Sequence, residues 1–171
     1  DIVTRPSTKS ATAPFTTSTL QQEAARKLGY TVTQTMVVAQ KLYESGKITY
    51  MRPDSVNLSD FAIQGSKDAI TKLMVEKYVK SRQYSTKSKG AQEAHEAIRP
   101  TEMDAQTIEG TNQEKKLYDL IWKRTIASQM ADAQLEKTTV TIGLSNTSDK
   151  FTASGEVIKF DGFLRVYNES Y

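Results

Sequence analysis

The 171-residue chain contains no cysteine and a single histidine, His95. With no thiolate there is neither a disulfide frame nor a sulfur-ligated metal centre, and one imidazole excludes a histidine-rich zinc cluster. No apolar run approaches the roughly 18 to 20 residues that span a bilayer, and the N-terminus has neither an initiator methionine nor a signal-peptide pattern. These absences predict no membrane partner and a piece of a larger cytosolic protein. Excess charge of one sign is also scarce: 23 Lys and Arg against 20 Asp and Glu leave +3, with a sequence pI near 9.0. Such a surplus permits an anionic partner without demanding one. What is present, 37% hydrophobic and 25% charged residues, suits a folded domain with one core.

Along the chain the patterns run β, then α, then β, with no internal repeat. Residues 1–5 predict a short strand, followed by a Ser/Thr-rich linker to Thr12. Ser18 and Gln21 fit a capping box for a helix with Leu20, Ala24 and Leu28 at helical spacing, ended by Gly29. A second helix, capped by Thr33 or Thr35 and closed by Gly46, carries a stripe of Met36, Ala39 and Tyr43. The turn between them is short, so the two helices pack together, and an extended run at 47–51 follows at once. Helix, turn, helix, strand is a winged-helix-like outline, used for DNA binding in some proteins and for compactness alone in others. Ser59 begins a third helix reaching about Tyr78, 93–98 reads as a short helix ended by Pro100, and 112–130 as a long amphipathic one. After Lys137 the period becomes two, predicting strands near 139–144, 151–153, 155–160 and 163–167.

The densest chemistry lies in ITYMRPDS at 48–55. In an extended segment, residues two apart share a face, so Tyr50 and Arg52 can address one phosphate together, a nucleophile beside an anion clamp. The competing reading is a tyrosine that packs with Ile48 and Met51. A phenol with pKa near 10 is ionised in only about one molecule in a thousand at neutral pH, so its chemistry needs help. Arg52 favours the phenolate and neutralises charge building on phosphate oxygens, with a planar fork that lysine lacks. Asp54 either orients Arg52 or serves as a turn or cap residue. Pro53 biases Arg52 toward extended geometry and removes one backbone donor. If 93–98 is helical, His95 and Arg99 lie four apart and can meet one phosphate, although Arg99 can equally pair with Glu96. Residues 77–92 carry Lys77, Lys80, Arg82, Lys87 and Lys89, no acid, and Tyr78 and Tyr84 interleaved. That composition fits either a solvated loop or a contact with single-stranded DNA.

ITYMRPDS resembles the active-site segment of type IA DNA topoisomerases, where ITYMRTDS is usual. Four further stretches resemble that family in its order: PFTTSTLQQEAARKLGY at 14–30, VAQKLYESGKITY at 38–50, AQEAHEAIRPT at 91–101 and LYDLIWKRTIASQM at 117–130. The resemblance implies an α+β fold in which a mainly helical, winged-helix-like active-site domain, 16–135, is inserted between β-rich segments of an arch domain, 1–15 and 136–171. It implies that Tyr50 is the nucleophile, forming a 5′-phosphotyrosyl link while another strand passes, so that negative supercoils are relaxed. Arg52 is then its phosphate partner, and His95, at the histidine of the AHEAIRPT signature, lies by the scissile phosphate. Arg99, Lys87, Lys89 and Asp54 are the expected DNA contacts, and single-stranded and negatively supercoiled duplex DNA the expected partners, in the bacterial cytoplasm with the nucleoid. Members of the family hold magnesium on a Glu and a D-x-D cluster of a separate domain that precedes this region. No D-x-D occurs here, so no metal ligand is expected on this chain, the acidic domain of the same parent chain becomes a partner, and the chain alone is expected to be inactive. Pro53 departs from the family's threonine. The alternative function is a passive winged-helix-like nucleic-acid-binding module, and a purely structural interaction domain would show no DNA affinity.

Overall fold

One antiparallel sheet takes its strands from both ends of the sequence. The computed structural model describes residues 1–85 and 95–168. Strand β1 (Ile2–Lys9) pairs with β2 (Ala133–Gly143), which pairs with β3 (Lys150–Phe160), in the order β1-β2-β3. The register runs from Ile2 opposite Val140 to Lys9 opposite Ala133, and from Gly143 opposite Lys150 to Gln134 opposite Phe160. Helices α1 (Thr17–Leu28), α2 (Val32–Glu44), α3 (Asp60–Leu73) and α4 (Asn112–Ser128) all lie in the connection between β1 and β2. The result is a mixed α/β fold, as the patterning implied.

Several boundaries differ from the sequence expectation, each for a local reason. β1 continues to Lys9 instead of giving way to linker, because an edge strand tolerates Pro6, whose missing N–H deprives no neighbour. β3 is one strand instead of two, with Gly155 paired to Thr138 in mid-ladder. The run 163–167 is no strand: Gly162, at φ +52°, turns the chain into a 3-10 turn (Gly162–Arg165) and sends Phe163 and Tyr167 into the core. The third helix stops at Leu73, and a separate 3-10 turn (Glu76–Tyr78) follows.

Thr16, not Ser18, caps α1: its hydroxyl accepts from the Thr19 amide at 3.3 Å while the Thr19 hydroxyl accepts from the Thr16 amide at 2.9 Å. Thr31, two residues before the expected Thr33, caps α2 with a single bond, its hydroxyl accepting from the Gln34 amide. Ser59 caps α3 as expected. Gly29 ends α1 in the left-handed conformation, φ +69°, which permits the tight turn to α2.

The core joins α1, α2 and α4. Leu20 and Ala24 meet Met36, Ala39 and Leu42, and Leu117, Tyr118, Ile121, Trp122 and Ile126 close over them. Each large side chain so removed from water contributes about 1.5 to 3 kcal/mol. Phe15 and Ile48, both fully buried, anchor the two segments that matter for function: the approach to α1 and the start of 48–55. No helix among the described residues is long and apolar enough to cross a membrane.

Candidate active site

From Tyr50 to Ser55 the burial alternates at every residue. Tyr50, Arg52 and Asp54 are exposed, while Met51, Pro53 and Ser55 are buried. Period-two alternation is the signature of extended backbone, so phenol, guanidinium and carboxylate share one face. Pairing along 47–51 is limited to one bridge, Ile48 opposite Pro100, with the Thr49 amide donating to the Arg99 carbonyl and the Thr101 amide to that of Lys47. The Thr49 hydroxyl donates to the Ala97 carbonyl at 2.8 Å and accepts from the Arg99 amide at 2.9 Å. Residues 48–55 are thus sewn to 97–101 on one side.

On the other side they abut the N-terminus of α1. The Thr17 amide donates to the Pro53 carbonyl at 3.1 Å, and the Thr17 hydroxyl to the carbonyls of Met51, at 2.9 Å, and Pro53, at 3.2 Å. Between these elements opens a cleft of about 730 Å³, lined by Thr16, Thr17, Ser18, Tyr50, Arg52, Pro53, Asp54 and His95. The helix start carries no acid in its own first turn, so its partial positive charge at the cleft is not cancelled from within the helix. Arg52 adds a full positive charge. Arg52, Asp54 and His95 make no hydrogen bond or ion pair with any other described residue, which leaves their polar ends available. In particular, no ion pair joins Asp54 to Arg52. The Tyr50 ring, 48% exposed, rests edge-on against Tyr43 of α2, with centroids 5.4 Å apart and planes at 72°. Pro53 suits its buried place, since its nitrogen has no hydrogen to satisfy and its carbonyl is fully used.

His95 reaches the cleft without a helix. Residues 95–97 are irregular and Ile98 bridges Phe15, because the amides of Ala97 and Ile98 donate sideways, to the carbonyls of Asn57 and Phe15, both at 2.8 Å. The expected helix over 93–98 is therefore absent from 95–98, and His95 and Arg99 do not share a helical face. Arg99 is 7% exposed and turned inward: Nε donates to Glu96 Oε2 at 2.7 Å, Nη2 to Oε1 at 3.0 Å, and Nη1 to the Pro100 carbonyl at 2.9 Å. Burial alone would raise the Glu96 pKa, but the Arg99 hydrogen bonds and the Ser59 amide outweigh it and hold that carboxyl below its usual range. Of the two alternatives for Arg99, the structure takes the Glu96 pair.

The basic run is also partly neutralised. Lys80 and Arg82 both pair with Asp132 at 3.3 Å, Arg82 also donates to the Met130 carbonyl, and the Tyr84 hydroxyl donates to the Ala11 carbonyl at 2.8 Å. Those groups hold the strand-helix junction together. Lys87 and Lys89 lie outside the described residues. Sequence reasoning read Ser18 only as a helix cap and Tyr43 only as part of a helix stripe, and it missed Thr16 and Thr17; the contacts of Thr17 with Met51 and Pro53 span 34 and 36 positions, which no local pattern reports.

The donor set does not make a magnesium site. Magnesium asks for an octahedron of oxygens with one or two carboxylates besides substrate oxygens, and among the described residues lining the cleft the one carboxylate, Asp54, lies next to the Arg52 cation on the same face. No group of three His, Cys, Asp or Glu side chains that could hold a metal occurs among the described residues.

Comparison with known proteins gives concordant results. A family described as DNA topoisomerase matches residues 1–171. The chain is 48% identical to DNA topoisomerase 1 of Zymomonas mobilis over 99% of its own length, and 49% identical to that of Streptomyces coelicolor over 98%. It spans only 14% and 18% of the length of those curated relatives. Full-length topoisomerase I from Thermotoga maritima superposes with a TM-score of 0.82 at 37% identity, covering 97% of this chain and 28% of that one.

Proposed function

The chain belongs to the bacterial type IA DNA topoisomerase family, and from that premise we propose that it carries the strand-cleaving nucleophile of a longer enzyme. The Tyr50 oxygen attacks the phosphorus of a DNA phosphodiester and the bond from phosphorus to the 3′ oxygen breaks. The tyrosine loses its proton, the departing oxygen gains one, and the products are a 5′-phosphotyrosyl ester and a free 3′-hydroxyl. One phosphate ester replaces another, so attack by the hydroxyl reseals the strand without an external energy source. Passage of a second strand between the two events relaxes negative supercoils.

The observation that carries this reading is the exposed face of Tyr50, Arg52 and Asp54, which lines one cleft with His95 and the start of α1. Arg52 binds the non-bridging oxygens and stabilises their charge in the transition state, His95 contacts the same phosphate, and the helix dipole adds attraction. Asp54 lies next to the strand as it leaves the phosphate. Lys87 and Lys89 extend the contact along single-stranded DNA, which is the substrate presented by negatively supercoiled duplex.

The metal chemistry of the family belongs, on this reading, to an acidic domain elsewhere in the same polypeptide. The sheet supports such a setting: Ile2, Ile142, Phe151 and Val157 share one face by register and are more than half exposed on it, a surface suited to further covering by an arch. The helix pair with its extended follower then acts as the winged-helix-like mount for Tyr50, and the nucleoid is the place of work. The test is direct. With magnesium and a single-stranded oligonucleotide, the longer polypeptide forms a covalent adduct that Tyr50→Phe abolishes, whereas the isolated chain relaxes no supercoiled plasmid. An adduct of equal yield in Tyr50→Phe refutes the assignment, and no adduct with bound DNA favours a passive binding module.

A further inference from the structure

We infer that Thr17 is a positioning residue for the cleavage step: its hydroxyl, by holding the carbonyls of Met51 and Pro53, sets the reactive face of residues 50–54 against the start of α1. This rests on the reading of Tyr50 as nucleophile.

The Thr17 hydroxyl has one proton, shared between the Met51 carbonyl at 2.9 Å and the Pro53 carbonyl at 3.2 Å. The Thr17 amide donates separately to Pro53 at 3.1 Å. Those two carbonyls flank Arg52, and Met51 directly follows Tyr50. Three contacts from one residue therefore fix the peptide units on both sides of the guanidinium. Among the described residues, Met51 has no other donor to its carbonyl across the gap to α1. The opposite side of the segment is held independently, by Thr49 against 97–99. Removing the hydroxyl frees the Met51 carbonyl and leaves Pro53 on the Thr17 amide alone, so one edge of the segment loosens while the other stays held, and the loss is of aim and not of fold. Helix capping is untouched, because Thr16 and Thr19 supply it.

The assay uses the full-length polypeptide with magnesium and a labelled single-stranded oligonucleotide at saturation, following adduct formation in single turnover. Thr17→Val keeps the shape and deletes the hydroxyl. A displacement of about 1 Å from the attack geometry lowers the cleavage rate about 10- to 100-fold while oligonucleotide affinity changes less than about threefold. Because mispositioning raises the barrier in both directions, resealing slows by the same factor and the final adduct yield stays that of wild type. Thr17→Ser, which keeps the donor, retains the wild-type rate within about threefold.

Partial unfolding has the opposite signature, a lower yield at an unchanged rate, and that result overturns the inference. So does a wild-type cleavage rate in Thr17→Val, or a Thr17→Ser variant as slow as Thr17→Val. Tyr50→Phe run in parallel separates the two claims. If its adduct persists, the nucleophile assignment fails; if it is lost while Thr17→Val is unimpaired, only the role of Thr17 fails.

Discussion

Replacing Arg99 by alanine discriminates between a DNA contact and a structural ion pair. The Arg99 side chain is 8% accessible and its two-point pair with Glu96, at 2.7 and 3.0 Å, is backed by the bond to the Pro100 carbonyl. Arg99→Ala strips the carboxylate of its cation and the carbonyl of its donor. Breaking a fully buried pair from one side costs about 3 to 5 kcal/mol. Here the Glu96 side chain is 28% accessible and keeps the Ser59 amide, so water recovers part of that and the expected loss is about 2 to 3 kcal/mol. For a chain of this size that corresponds to a melting temperature lower by about 5 to 10 °C. Denaturant unfolding measures the free energy, and a double-mutant cycle with Glu96→Ala isolates the pair. Oligonucleotide affinity at fixed salt should change less than about threefold. A stability within about 0.5 kcal/mol of wild type, together with a tenfold or greater loss of DNA affinity, would refute the structural assignment.

Other substitutions probe the remaining arguments. Gly162→Ala places a Cβ against the carbonyls of Ala131 and Asp132 at a φ of +52°, so it should destabilise by about 3 kcal/mol in chemical denaturation; a loss under about 1 kcal/mol would contradict the reason given for the 3-10 turn. Tyr118 has its phenol pushed up to about 12 by burial and by the Asp104 and Glu102 carboxylates. With the folded value raised, its contribution is complete below the ordinary phenol value near 10 and is lost as pH climbs through 12. Tyr118→Phe should therefore remove that alkaline slope in unfolding experiments, at about 1 kcal/mol of neutral-pH stability for the donor lost to the Ala105 carbonyl. Arg52→Lys, at an exposed position, should leave the melting temperature unchanged but slow adduct formation about tenfold or more, because the planar fork is lost.

What could be read in advance depended on whether the controlling contacts were local. The ITYMRPDS face was legible because alternation is written in adjacent residues, and Met51, Pro53 and Ser55 do turn inward. The helices were legible from their stripes, but their first residues were not: several Ser and Thr could cap α1, and the choice of Thr16 follows from Phe15 being locked against Ile98, 83 residues away. The region 95–101 misled because HEAIRP has helical composition, while its backbone donors are taken by Asn57, Phe15 and Lys47. Likewise the composition around Lys80 and Arg82 fitted either a solvated loop or a DNA contact, and neither reading contained the pairing of both with Asp132, 52 and 50 positions on. The remote threonine clamp at Thr17 has the same origin, since its two acceptors lie 34 and 36 residues downstream.

Mass spectrometry of the covalent adduct tests the central claim most directly. The full-length polypeptide is trapped on a single-stranded oligonucleotide in the presence of magnesium, digested, and the nucleotide-bearing peptide sequenced. The account predicts a phosphotyrosyl bond on Tyr50, to the 5′ end of the downstream DNA fragment, with the upstream fragment ending in a free 3′-hydroxyl. An adduct mapping to another residue, such as Tyr43 whose ring lies beside it, or a link to a 3′ phosphate, would contradict it.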